Sequence, residues 1–278
     1  MSDFFIYSSI KLPKNLPGFV KLKKYPRGKK ILVISPHSDD VSVSCGGIIS
    51  KLSVFNKIVP VLFFTGYRGI EGMKKEKAAE VREKEMEKES KVLGIEKPLF
   101  LKLLSYESNR NSCRKKDILK VEELFMKQNP EIIFLPKKDD LQPRHKLATE
   151  ITLGALESLQ RRSPAPDGAG RNPAPDGAGR RKIKNFPDLF FYENPWSLFG
   201  AFEFNAVSIL SKREISKKIK AIQVHYSQLK RTAFDRLAKS LAEFRGATVA
   251  EQRIFGYGKG NKELNKFYIE AFKCENNY

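Results

Sequence analysis

The sequence predicts an α/β protein with a Rossmann-like, mostly parallel, doubly wound sheet. Short apolar runs alternate with stretches of helical length between residues 30 and 159, and several of the runs stop at a Pro, a Gly or a polar cluster. A chain of 278 residues is also long enough to bury a full core as one domain.

The first strand is Lys30-Ile31-Leu32-Val33-Ile34-Ser35, a continuous apolar run of the kind buried on both faces, ended by Pro36. A helix follows from about Gly46 to Leu52. A second strand covers residues 58–64 and stops at Thr65-Gly66. A long helix, residues 73–93, interleaves Lys with Glu and is closed by Gly94. A third strand (99–103), a helix (117–127), a fourth strand (131–136) and another helix (145–159) complete the alternation. Residues 163–171 and 172–180 then form a tandem duplication, identical at eight of nine positions. Their Pro, Gly and Ala content reads as a flexible inserted loop. Beyond it, strands at 189–193 and 202–210, helices at 215–229 and 234–244 and a short apolar element at 267–272 read as C-terminal additions. These are expected to complete the sheet edge and wall the site. The whole chain is thus one domain, with its core at about 30–273 and an insertion at 163–180.

Composition narrows the class. The hydrophobic fraction is 41% and the charged fraction 30%, as in globular domains. No run approaches the roughly 18 apolar residues of a membrane span, and the N-terminus has no signal-peptide pattern, so the expected location is the cytoplasm. The three cysteines are widely spaced and odd in number, which suggests no disulfide framework. The net charge of +20, from 52 basic and 32 acidic residues, suits an anionic substrate, an anionic surface or nucleic acid. The basic residues are dispersed and no nucleic-acid recognition motif accompanies them, so the reading points away from nucleic acid.

Chemistry gathers at the strand ends. His37, Asp39 and Asp40 lie just past the carboxyl end of the first strand, where open α/β sheets bind ligands. His145 follows the fourth strand on the same rim, and in the common doubly wound order these two strands are neighbours. His37, Asp40 and His145 then form a two-imidazole, one-carboxylate set that suits catalytic zinc, with Asp39 free to serve as general base. On the residues alone the alternative also stands: an Asp-Asp turn and histidines with structural roles. The inventory favours the metal set, because two of only three histidines fall at predicted strand ends.

These residues resemble the PIG-L/LmbE-like zinc-dependent N-deacetylases. The family's Pro-His-Pro-Asp-Asp-Glu and Gly-Gly signature corresponds to Pro36-His37-Ser38-Asp39-Asp40-Val41 and Gly46-Gly47. Thr65-Gly66-Tyr67-Arg68-Gly69, Arg82-x-x-Glu85 with Leu93-Gly94, the late His225-Tyr226-Ser227-Gln228 and Tyr268-Ile269-Glu270-Ala271-Phe272 follow in family order. The resemblance implies one zinc ion, or another divalent metal, on His37, Asp40 and His145, with Asp39 as base. It also implies that His225 reaches the site as an acid or oxyanion partner and that Arg82 contacts substrate oxygens. On the residues alone, the alternative for His225 is a hydrogen-bonded helix histidine, and for Arg82 a surface pair with Glu85. The substrate implied is a small N-acetyl sugar or glycoconjugate, and the reaction is removal of its acetyl group.

Three departures bear on catalysis. Val41 replaces the glutamate that usually follows the paired aspartates. The usual His-x-Asp-His element reads Gln142-Pro143-Arg144-His145. Gln142 keeps a donor for an oxyanion but cannot act as a cationic acid, and Arg144 is expected to supply positive charge toward substrate. The alternative expectation is a zinc-retaining sugar-binding protein with impaired catalysis. A basic nucleic-acid or anionic-surface binder is the weaker one.

Overall fold

A computed structural model describes residues 4–8, 20–105, 111–161, 186–200, 202–249 and 267–275. The duplicated segment at 163–180 lies outside the described residues. Among them, nine strands form one sheet: β1 (Phe4–Ser8), β2 (Val20–Lys23), β3 (Lys30–Ser35), β4 (Lys57–Leu62), β5 (Leu99–Phe100), β6 (Ile132–Pro136), β7 (Asp188–Tyr192), β8 (Ala206–Leu210) and β9 (Tyr268–Glu275). The helices are α1 (Asp40–Leu52), α2 (Lys75–Leu93), α3 (Asn111–Gln128), α4 (Pro143–Arg161), α5 (Lys212–Gln223), the single turn α6 (Tyr226–Leu229) and α7 (Phe234–Val249).

The strand order is β2-β1-β8-β9-β7-β6-β3-β4-β5, and every pairing is parallel except those of β9. The chain runs one way from β3 through β4 to β5, then returns across β3 to β6 and β7. The switch point therefore falls between β3 and β6, which pair through Ile31–Ile132 to Val33–Phe134.

Alternation along β3 shows why both faces are covered. Leu32 and Ile34 pack with Val121, Phe125, Ile133 and Ile151, on the side of α3 and α4. Ile31 and Val33 pack with Ile48, Ile49, Met86 and Leu93, on the side of α1 and α2. Pro60, which has no N–H to donate, pairs with Val33 in the part of β4 that precedes the pairing with β5 at Val61.

Two expectations need correction. The C-terminal strands do not form the sheet edge: β9 is inserted antiparallel between β7 and β8, and β8 in turn pairs with β1. The edge on that side is β2, outside β1, and it was unpredicted because Val20–Lys23 has one buried residue in four and too little alternation to read as a strand. The third strand is only Leu99–Phe100, not 99–103. No helix among the described residues is long and apolar enough to cross a membrane.

Candidate metal centre and active site

The corner after β3 is shaped by a break in α1. Cys45 leaves helical geometry at φ −129°, ψ 16°, so α1 is one short turn carrying Asp40, followed by a helix beginning near Gly46. The break frees backbone groups that a buried helix must satisfy. Glu270 on β9 accepts the N–H of Gly47 at 2.9 Å and of Ile48 at 2.7 Å. Lys218 on α5 donates to the Ser44 carbonyl at 3.2 Å and to Glu270 at 2.6 Å. A Cβ on Gly47 would collide with Leu210 and lie 2.9 Å from the Glu270 carboxylate, which explains glycine there. The Gly-Gly and Tyr-x-Glu-x-Phe motifs are thus two halves of one clamp.

At the rim, the imidazoles of His37 and His145 approach to 3.2 Å between Nδ1 and Nε2. The Asp40 carboxylate spans both, 3.3 Å from each of those nitrogens. Donors bonded tetrahedrally at about 2.0 Å to one ion sit about 3.3 Å apart, so the spacing fits one face of such a site. The chemistry of the set also fits. His145 Nδ1 lies 3.1 Å from Asp140 Oδ2, which holds its proton and leaves Nε2 to face the cluster. Among the described residues, His37, Asp40 and His145 form the group that could hold a metal ion.

The charges are strongly coupled. Burial disfavours the charged form of His145, but Asp40 and Asp140 outweigh it and push its pKa up to about 10. Burial also works against ionised Asp40, yet the two histidines hold its carboxyl well below the usual range. His37 is pulled below the ordinary imidazole value by burial, against the pull of Asp40.

Asp39 faces the same cavity of about 350 Å³. Its Oδ1 accepts from the Arg82 guanidinium at 2.6 Å, and Arg82 Nε donates to Ser38 at 2.9 Å. Arg82 is buried with Glu85 and Glu89 on one face of α2 rather than paired with Glu85 on a helix surface. Gln142 is held by its neighbours: its Oε1 accepts from the backbone of Arg144 at 2.6 Å and of His145 at 3.4 Å, capping α4. Its Nε2 lies 3.1 Å from His37 Nε2. Arg144 lines the cavity.

His225 is not on the cavity wall. It is enclosed with its Nε2 3.4 Å from Glu89 and its Nδ1 3.9 Å from Glu85. Burial opposes its protonation, and Glu89 overcomes this and raises its pKa. Glu89 accepts the Ser42 N–H of α1 at 2.8 Å, and Glu85 accepts from Ser227. Val41, where the family has glutamate, is fully buried in the core.

The sequence reading missed Asp140 and Asn194. Asp140 carried a readable signal, a carboxylate five residues before His145 on the same rim. Asn194, which donates to Asp140 at 2.6 Å and accepts from the Trp196 backbone at 2.9 Å, follows β7 and carried none.

Residues 32–156 match the PIG-L family model, described as GlcNAc-PI de-N-acetylase. Among solved structures, the N,N'-diacetylchitobiose deacetylase from Pyrococcus horikoshii is similar at TM-score 0.63 and 22% identity, over 89% of this chain and 84% of that one. GalB, the 4-carboxy-2-hydroxymuconate hydratase from Pseudomonas putida KT2440, is similar at TM-score 0.63 and 18% identity, over 90% and 97%. The zinc-inhibited form of teicoplanin deacetylase Orf2 gives TM-score 0.56 and 14% identity, over 90% and 100%. No curated protein matches the chain. At these identities the structural likeness is one of fold, and because a hydratase shares it, the reaction must be argued from the site.

Proposed function

We propose, for a chain whose residues 32–156 match the PIG-L family model, a zinc-dependent hydrolase that removes the acetyl group from an N-acetylated amino sugar or sugar conjugate. The observation that carries this reading is the convergence of His37, Asp40 and His145 beside Asp39 at one cavity. When bound on those three residues, the divalent ion would polarise the amide carbonyl and acidify a water.

The remaining work falls to the chain itself. Asp39, oriented by Arg82, takes the proton of the attacking water as oxygen bonds to the acetyl carbon. It returns that proton to the amide nitrogen as the carbon–nitrogen bond breaks, so acetate and a free amine leave. Arg144 supplies a fixed positive charge where negative charge develops on the acyl oxygen. Gln142 is a positioning residue, because its amide already serves the α4 cap and His37. His225 acts through Glu89 and the first turn of α1 rather than at the reacting atoms.

The test is amine release from N-acetylglucosamine compounds together with metal analysis, for the wild type and Asp39→Asn. The expected outcome is a loss of about 10²–10⁴-fold in turnover with metal content unchanged. Metal-dependent release that survives the substitution overturns the role of Asp39.

A further inference from the structure

One wall of the cavity, made by Asn194, Pro195 and Trp196, is a short loop closed by a pair of charges that the chemistry above does not use. Glu193, which follows β7, accepts the Phe199 N–H at 2.7 Å. Arg245 of α7 donates to Glu193 through Nε at 2.7 Å and to its second oxygen through Nη2. The same Nη2 donates to the Phe199 carbonyl at 2.7 Å. Both ends of the loop therefore meet on one guanidinium, and both charged residues are buried. A buried ion pair is on balance no better for stability than apolar side chains of the same volume, so stability alone does not account for this one. What a planar fork adds is geometry, because it serves a carboxylate and a carbonyl at the same time.

Between its two ends the loop reaches the candidate metal centre and the cavity. Asn194 donates to Asp140 Oδ2 at 2.6 Å, and that oxygen lies 3.1 Å from His145 Nδ1. Ser197 Oγ accepts the Leu141 N–H at 3.2 Å, which ties the loop to the segment between Asp140 and Gln142. Asn194 Oδ1 accepts the Trp196 N–H at 2.9 Å, and the Trp196 ring stands edge-on to Phe234 at 6.1 Å between centroids. Phe234 opens α7 and Arg245 lies further along it, so one helix braces the loop at its tryptophan and at its two ends. That helix is itself seated closely on the chain entering β9, where a Cβ on Gly246 would collide with the Phe267 carbonyl.

We propose that Arg245 is a positioning residue for the cavity wall and the metal centre. With Glu193 it fixes the loop 193–199, so that Asn194 meets Asp140 and Trp196 faces the cavity. The effect on the metal rests on the reading of His37, Asp40 and His145 as its ligands, whereas the effect on the loop does not.

Trp196 is the sole tryptophan of the chain, so its fluorescence reports this loop alone. Two quantities are read on the full chain: acrylamide quenching of Trp196 in the metal-depleted protein, and zinc affinity by competition with a chromophoric chelator. Arg245→Met should raise the quenching constant and weaken zinc binding by about tenfold, through the lost support of His145. Arg245→Lys should restore part of both. Glu193→Gln with Arg245→Met leaves no unpaired buried charge, guards against simple misfolding and should show the same two changes. Val121→Ala, in the core beneath α3, is the control that lowers stability and should move neither quantity. Because Arg245 acts through Asn194 and Asp140, Arg245→Met should cost less zinc affinity when Asp140→Asn is already present. Quenching and affinity that stay at the wild-type values in the folded Arg245 variants overturn the proposal, and so does an equal change in the Val121→Ala control. An equal loss of affinity with and without Asp140→Asn overturns the route through Asp140. If the wild type binds no zinc, the metal reading falls, and the quenching still decides whether Arg245 fixes the loop.

Discussion

Asp140 shows how much of the site depends on a residue that touches no substrate. It fixes the His145 ring through Nδ1, receives the Asn194 amide and accepts the Gln142 N–H at 2.8 Å. Removing the charge while keeping the shape, as Asp140→Asn does, should weaken metal binding by about 10–100-fold, measured by competition with a chromophoric chelator. An unchanged affinity would mean that Asn194 and Gln142 hold the ring unaided. His37, Asp40 and His145 were legible in the sequence because each lies at the end of a recognisable strand, and adjacent parallel strands bring their ends together. Asp140 lies in the same loop, but a carboxylate there reads equally as a turn. Arg82 was legible as a residue of interest and not in its contacts. A surface helix in a Lys- and Glu-rich pattern gives no sign that Arg82, Glu85 and Glu89 share a buried face. His225 was hidden for a related reason: motif order places it late in the chain and says nothing of which wall it stands behind.

At the scale of elements, the instructive case is α1. The sequence signals begin the helix near Gly46, while the helical segment extends back to Asp40. Both statements describe the same object, since the break at Cys45 separates a turn carrying Asp40 from the helix that the sequence marks. What cannot be read locally is the compensation, which comes from β9 and α5, more than 170 residues away. Lys218 and Glu270 are both buried, and each completes backbone groups freed by the break. Glu270→Ala would leave two amides and a buried ammonium without their partner. The expected loss is about 3–5 kcal/mol by urea unfolding. Adding Lys218→Met should recover part of that loss, because the double variant no longer buries an unpaired charge. A loss near zero in the single variant would show that water replaces the carboxylate.

For the whole molecule, the sheet joins two distant parts of the chain at its switch point, and the metal donors straddle that join. His37 and Asp40 come from the turn after β3, and His145 comes from α4 after β6. The doubly wound half was legible because its strands are continuous apolar runs, whereas β1, β2 and the antiparallel insertion of β9 were not. Their pairings are fixed by tertiary contacts and not by local pattern. The join has a consequence for stability against pH. Without an ion, a proton on His145 balances Asp40 and Asp140, with a pKa of about 10 against 6.5 for an ordinary imidazole. A folded-state value raised in this way contributes stability that is complete below pH 6.5 and is lost as pH rises through 10. The useful window is pH 7 to 8.5. His37, depressed by burial, is neutral there in the folded chain with or without the ion, so it adds the same slope to both forms. The thiols of Cys45 and Cys274, raised by burial, add the same slope whether or not the centre is loaded, and the phenols of Tyr7 and Tyr25, also raised, begin to matter only at higher pH. His225, raised as well, adds the same slope whether or not the centre is loaded. An ion on the three donors displaces the His145 proton and removes that group's share of the slope. Unfolding free energy of the chelated protein should therefore fall faster with pH than that of the loaded protein, by on the order of 1 kcal/mol per pH unit. Parallel slopes across the window would show that His145 carries no proton in the metal-free protein, and would remove the electrostatic basis for pairing it with both aspartates.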